Sequence, residues 1–485
     1  MEEQQGSVAT IGRKAGRGFR WALFGTLATK IGSFVMSLVL ARLLVPEDFG
    51  LYAIALAATQ FVIHVNDVGI MAATVQWRGK LEDMAATAST LAILFSVGWY
   101  AVFWVAAPGL AGLAGSPEAT TPVRLLTAVI LVDGITAVRV AALQRRFQQD
   151  QLTKALMFGF LVNASVAISL AADGAGPYSF VFGQLAGTVV TSVLEMIFAG
   201  LPLRFALDRE VARRLVRFGI PLAAGLGVES VLLNADYVIV GHVLGTAAIG
   251  MYLLAFNVSS WVPGLVGTAV RHVSLAGFSR LAEDDPDALS RGVQRTVPLL
   301  FAGVLPIAVL MAALPKQLVV VLYGTEWAPA AVVLRFLAVL VIARMLTSIA
   351  FDILTSLGAT RATLWLNLVW AGFLVPALYV GTRLDGIRGA AIAHGAVAVL
   401  VAIPMAVWML HRADVHLAPV LPALARPLAG GLFAGTLMVG GAWLVGGSPI
   451  VQLTLAGGAG LVGYLLIAVP SRQILQLRAL FGAAS

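Results

Sequence analysis

Fourteen stretches of 18 or more almost wholly apolar residues run along this chain, and nothing else in it constrains the fold as strongly. A bilayer core of about 30 Å takes about 20 helical residues to cross. The stretches are Arg20 to Leu44, Gly50 to Val75, Met84 to Ala107, Val123 to Leu143, Ala155 to Ala172, Ser179 to Ala199 and Phe218 to Leu244, then Ile249 to Val270, Thr296 to Leu314, Ala330 to Leu357, Thr363 to Val380, Gly389 to Leu410, Leu428 to Val445 and Ile450 to Val469. Strands of a membrane barrel would alternate in polarity over about ten residues, and these runs are solidly apolar. The expected class is all-α, a polytopic integral membrane protein of about 14 transmembrane helices. With 12% charged residues and a mean hydropathy of +0.92, a soluble domain is excluded.

Basic residues set the orientation, because Lys and Arg concentrate in cytoplasmic loops. With the amino terminus inside, 23 of the 32 Lys and Arg fall on cytoplasmic segments and 6 outside, so both termini are expected in the cytoplasm. The remaining three, Lys30, Arg139 and Arg344, lie within spans. The net charge of +8 is thus divided among short loops that orient helices, which removes nucleic acid as a partner. The first span is longer than the apolar region of a signal peptide and reads as an uncleaved helix.

The loops exclude much enzymology. With no Cys there is no thiolate nucleophile and no Cys-ligated metal. No GxxxxGK[ST] phosphate loop and no HExxH are present. The run Glu283-Asp284-Asp285-Pro286-Asp287 contains an Asp-x-Asp, but an acidic turn opening a helix accounts for it. No catalytic residue, metal ligand or cofactor is expected. A protein whose mass is nearly all membrane helix moves something, and ionisable groups inside spans mark the path, since each is costly unless it meets a partner or water. They are Lys30, Asp67, Asp133, Arg139, Glu195, Glu229, Asp236, Arg344 and Asp352.

Transporters are often built from two related halves. A shift of 200 residues places Gly25 on Gly225, Leu44 on Leu244, Gly50 on Gly250, Tyr52 on Tyr252 and Ala55 on Ala255, with Arg42 over His242. Both copies sit where a span ends, turns tightly outside and re-enters. This organises the chain as two parallel six-helix lobes, residues 1–217 and 218–426, with two further helices and a tail in 427–485.

The run Leu40-Ala41-Arg42-Leu43-Leu44-Val45-Pro46-Glu47-Asp48-Phe49-Gly50-Leu51-Tyr52, followed by Asp67-Val68-Gly69-Ile70 and Gln76, resembles the amino-terminal signature of the bacterial O-antigen and exopolysaccharide flippases. These are polysaccharide exporters of the multidrug, oligosaccharidyl-lipid and polysaccharide exporter superfamily. Similar matches are Gly241-His242-Val243-Leu244-Gly245 with Gly250-Met251-Tyr252, Leu322-Tyr323-Gly324-Thr325-Glu326-Trp327, and Gly386-Ile387-Arg388-Gly389-Ala390-Ala391-Ile392-Ala393. On physical grounds alone the first run is a tight external hairpin. Pro46 presets the turn, Glu47 and Asp48 favour a helix start, and Gly50 lets two helices approach.

The resemblance implies a flippase of the bacterial inner membrane, not an enzyme, that moves an isoprenoid-pyrophosphate-linked oligosaccharide by alternating access. The alternative is a cation-coupled drug or metabolite antiporter of the multidrug and toxin extrusion type. The implied partners are the lipid-linked oligosaccharide, membrane lipids, and a polysaccharide polymerase with its assembly proteins. A cationic cleft for the head group would draw on Lys30 first, then Arg139 and Arg344, then Arg271. Asp67, Glu229 and Asp236 are candidates for gating or for coupling to a proton or sodium ion. Glu229 and Asp236 are two helical turns apart on one face. In the 200-residue register Lys30 falls beside Glu229, as a gate, an ion site or a static salt bridge.

Overall fold

The computed structural model describes residues 2–67, 70–71, 74, 77, 81–260, 286–357, 359–415 and 417–468, and for 2–20, 22, 64–65, 67, 82, 218–229, 231–233, 286–289 and 360–361 it describes the backbone alone. The described residues form helices and turns without a strand. Ten of the helices are long and apolar enough to cross a membrane. The chain forms two compact units, Met1–Leu253 and Leu254–Ser485.

The first unit contains α1 (Glu2–Leu43), α2 (Pro46–Asp67), α3 (Glu82–Leu113), α4 (Thr120–Thr127), α5 (Val129–Arg145), α6 (Gln149–Ala172), α7 (Tyr178–Ala199), α8 (Arg209–Leu244) and the first half of α9 (Thr246–Ser260). Helix α2 begins four residues before the expected apolar stretch. The reason is local: Pro46 needs no hydrogen-bonded N–H, and the Asp48 carboxylate accepts from the Val45 N–H at 3.2 Å. Helix α8 is opened in the same way by Asp208, whose side chain accepts from the N–H groups of Glu210 and Val211 at 2.8 and 3.0 Å.

Without a hydrophobic effect between helices in lipid, small residues hold such bundles together. Helices α6 and α7 illustrate it. A Cβ on Gly187 would lie 2.7 Å from both the Gly159 carbonyl and the Asn163 Cβ, and one on Gly183 would lie 2.7 Å from the Ala167 Cβ. Gly183, Gly187 and Thr191, spaced four residues apart, therefore form a ladder against Gly159, Asn163 and Ala167. Gly187→Val is expected to cost about 1–3 kcal/mol by overpacking and to lower the thermal midpoint in detergent, whereas Gly98→Ala, with open space at the Cβ position, leaves it unchanged.

The second unit continues through α10 (Pro286–Ala313), α11 (Pro315–Tyr323), α12 (Ala330–Ser356), α13 (Thr360–Val397), α14 (Ile403–Arg412), α15 (Val420–Val445) and α16 (Pro449–Ala468). Its core gathers Val304, Leu314, Ile353, Leu366, Met438 and Tyr464, and the Tyr464 hydroxyl donates to the Ala302 carbonyl at 2.7 Å. Helix α13 is broken at Asp385 (φ −143°, ψ 29°) and Gly386 (φ 58°, ψ −143°). The chain reverses there, with Gly381 against Gly389, so the 51-residue apolar run Ala362–Arg412 is the pair of expected spans joined at the Gly386 motif.

One short element order recurs in the chain at a shift of about 209 residues. Left-handed Gly115 (φ 72°), a 3-10 turn and α4 in the first half recur as left-handed Gly324 (φ 111°), a 3-10 turn and α12 in the second. Tyr323 and Trp327 of the second copy are 1% exposed, which explains the Leu322 to Trp327 motif as the plug of a turn.

Candidate functional site

The hairpin Val45 to Tyr52 and its repeat copy Gly245 to Tyr252 meet each other at the ends of α1–α2 and α8–α9, within the first unit. The contact is reciprocal. A Cβ on Gly50 would overlap the carbonyl of Thr246, and a Cβ on Gly250 would overlap the carbonyl of Pro46, the residue that Thr246 repeats. Only hydrogen at both positions lets the first turns of α2 and α9 cross backbone to backbone. A second close approach flanks it: a Cβ on Gly241 would lie 2.7 Å from the Ala114 carbonyl, and one on Gly115 2.7 Å from the Gly241 carbonyl. His242, the counterpart of Arg42, places its Nδ1 2.9 Å from the Leu113 carbonyl.

Behind the crossing the hairpin is braced by aromatic packing. Tyr52 stacks on Phe180 of α7 with ring centroids 4.2 Å apart, Phe49 meets the same ring edge-on at 5.0 Å, and the Tyr52 hydroxyl donates to Gln184 at 3.3 Å. In the repeat copy Tyr252 is fully buried edge-on to Tyr237 at 6.2 Å. Asp48 also closes on the α6–α7 turn, where a Cβ on Gly176 would lie 3.0 Å from its Oδ1.

The interior charges fall into separate environments. Lys30 is half-buried on α1. The seam of α1 against α6 runs through Gly25 at Thr153 and Gly32 at Phe160. At 100° per residue Lys30 lies roughly 140–160° round the helix from that seam, on the side that α6 leaves open. Arg344 is half-buried in the second unit, its guanidinium 5.1 Å from the Phe256 ring centre. Phe256 in turn lies 6.4 Å from the ring of buried His394, which the charge pattern alone did not single out.

Arg139 is enclosed by protein. It is 1% exposed and its amino nitrogens are committed, Nη1 to Ser89 Oγ at 3.0 Å and to the Ile135 carbonyl at 3.1 Å, Nη2 to the Pro202 carbonyl at 3.0 Å. It ties the connection between α7 and α8 to α3 and α5. Asp236 is 1% exposed, with Oδ1 accepting from the Tyr237 N–H at 3.1 Å. The side chains of Asp67 and Glu229, and all of Arg271, lie outside the described residues. Among the described residues no group of three His, Asp or Glu is placed to hold a metal ion.

Sequence reasoning named Gly50 as a close-approach glycine and aligned it with Gly250, but did not pair the two with each other's turn. The signal was there: of the five identities in the 200-residue register, two are glycines at helix starts or in spans and one is the tyrosine that anchors each hairpin.

Comparison with known proteins agrees with this geometry. The profile of a family described as polysaccharide biosynthesis protein matches residues 39–332, from the hairpin motif into α12. The succinoglycan biosynthesis transport protein of Rhizobium meliloti is 27% identical over 342 residues, which cover 68% of this chain and 66% of that protein. Among solved structures, the lipid II flippase MurJ in an inward closed conformation aligns with a TM-score of 0.75 at 13% identity, covering 92% of this chain and 97% of that one. An inward-facing multidrug resistance transporter of the MATE family aligns at 0.62 and 15% identity, covering 81% and 99%. At such identities the structural likeness shows the fold, that of multi-pass membrane transporters. With more than half its length under the family profile and the signature hairpin inside the match, the chain belongs to the polysaccharide biosynthesis protein family, in the exporter superfamily that its motifs resemble.

Proposed function

We propose that this protein is a flippase of the bacterial inner membrane that carries an isoprenoid-pyrophosphate-linked oligosaccharide from the cytoplasmic to the outer face by alternating access. The observation that carries this reading is the reciprocal crossing of the two repeat-related hairpins. A contact in which two backbones cross at Gly50 and Gly250 can part along one surface, and alternating access needs two arrangements close in free energy. The sugars and pyrophosphate cannot enter hydrocarbon, while the isoprenoid tail stays in the bilayer. A cationic lining therefore serves the head group, supplied by Lys30, Arg139, Arg344 and Arg271. Asp67, Glu229 and Asp236 serve gating or ion coupling, with a proton or sodium ion as the coupling species. The lobes of this cycle are residues 1–217 and 218–426, with 427–485 appended, and the protein performs no chemistry itself. Its product would pass to a polysaccharide polymerase and assembly proteins.

Reconstitution tests the function directly. Proteoliposomes loaded on one face with an isoprenoid-pyrophosphate oligosaccharide are expected to expose it to an external lectin only when the protein is present. A protein that leaves the lipid on its original face, but moves a cationic dye down a sodium or proton gradient, would favour the antiporter reading. The orientation of the chain is tested by cysteine labelling, which is clean because the chain has no native Cys. Glu210→Cys, exposed at the start of α8 beyond the α7–α8 connection, is expected to resist a membrane-impermeant maleimide added to spheroplasts, whereas Glu118→Cys, exposed before α4, reacts. The opposite pattern would invert the topology.

A further inference from the structure

The connection 200–208 between α7 and α8 carries no helix, yet it is not a free loop. Four hydrogen bonds hold its backbone or its entry. Arg146 donates to the Ala199 carbonyl at 2.7 Å and Arg139 to the Pro202 carbonyl at 3.0 Å. The Ala206 N–H donates to Thr90 Oγ1 at 3.2 Å, and the Asp208 N–H to Thr87 Oγ1 at 3.1 Å. These anchors are set back from the helix ends. Thr87 and Thr90 lie roughly 7 and 12 Å into α3, and Arg139 roughly 9 Å from the end of α5, at 1.5 Å per residue. The connection therefore runs one to two turns inside the ends of α3 and α5; where those ends mark the membrane surface, that is the depth at which head groups give way to acyl chains.

Irregular backbone survives at that depth only if its polar groups are met, and Arg139, Thr87 and Thr90 meet them on the protein side. On the other side the alternate residues Leu203, Phe205 and Leu207 stand 40%, 63% and 61% exposed. Arg204, Arg209, Arg213 and Arg217, also exposed, surround this row. Apolar side chains at acyl depth beside guanidinium groups that reach up to phosphates match the leaflet interface.

We infer that residues 202–208 form an interfacial strap that inserts Leu203, Phe205 and Leu207 into the leaflet and binds anionic phospholipid through Arg204 and Arg209. Which leaflet it meets rests on the cytoplasmic placement proposed above; the insertion itself does not. Arg139 is then a positioning residue, holding the strap at its depth between the two repeat halves.

The test uses the full chain in nanodiscs of phosphatidylcholine with or without phosphatidylglycerol, with an environment-sensitive fluorophore on Phe205→Cys and, separately, on Leu207→Cys. Quenching by lipid carrying a doxyl group near the head of its acyl chain, and protection from aqueous iodide, are expected at both sites. The water-exposed control Glu118→Cys should behave oppositely. Iodide access equal to the control overturns the insertion, and so does protection from both quenchers, which would mean that protein covers the row. Arg139→Leu is expected to move the Phe205→Cys emission towards that of the control, and unchanged emission would remove the positioning role. Arg204→Gln is expected to reduce the preference for phosphatidylglycerol about fivefold, and equal behaviour in the two lipids overturns the anionic part. None of these readouts depends on transport, so failure of the flippase reading would leave them standing.

Discussion

Lys30→Ala is expected to abolish oligosaccharide translocation while the protein still inserts and folds. The reason is where the cation lies. It is half-buried ten residues into the first apolar stretch, on the side of α1 turned from the glycine seam that packs on α6. A Lys at such depth is costly unless it serves a partner. For a bound pyrophosphate, removal of one charge-assisted contact is worth about 3 kcal/mol, or roughly a hundredfold in rate. Lys30→Arg is expected to retain part of the activity, because a phosphate is met by charge before shape. Translocation measured by lectin access in proteoliposomes decides it: wild-type rates from Lys30→Ala would refute the head-group role. The partner expected from the repeat register, Glu229, is tested in the same assay. If the two charges form a pair that opens for substrate, Lys30→Ala and Glu229→Ala are strongly non-additive, and additivity would make them independent.

The second large effect is expected at the crossing of the hairpins. Gly50→Val drives a side chain into the Thr246 carbonyl, and Gly250→Val drives one into that of Pro46. Overpacking of about 1–3 kcal/mol on one arrangement alone shifts a two-state balance roughly 5- to 150-fold towards the other. Spin labels on Glu47→Cys and Ala247→Cys, the residues that follow Pro46 and Thr246, are expected to show a short and a long distance in the parent and mainly the long one in either valine variant. Because one contact surface opens both glycines, the double variant should shift little further than each single one. A short bifunctional maleimide across the same cysteines is expected to stop translocation. A single unchanged distance, with only a lower thermal midpoint, would make the crossing a static joint.

Much of this protein was legible in one dimension. The helices of the described residues follow the apolar runs, because desolvation of backbone and side chains in hydrocarbon is a local cost that each segment must meet by itself. Turn chemistry was equally local: Pro46 with Asp48 starts α2, and the Gly386 motif marks the reversal in α13. The Val45 to Tyr52 hairpin and its copy 200 residues on were visible for the same reason, as residues that suit a helix start wherever it occurs.

The sequence alone therefore determined an all-helical membrane protein with an exporter's signature. Tertiary structure decided what each conspicuous residue touches. Gly50 and Gly250 proved to face the turn of each other's repeat, Gly187 to seat on Gly159, and Arg139 to hold the Pro202 carbonyl. Hydropathy records how deep a residue lies, because transfer into lipid depends on that residue alone. A small residue or a buried cation takes its meaning from the surface opposite, and that surface is supplied by a segment tens to hundreds of residues away, through packing and hydrogen bonds that no local pattern encodes.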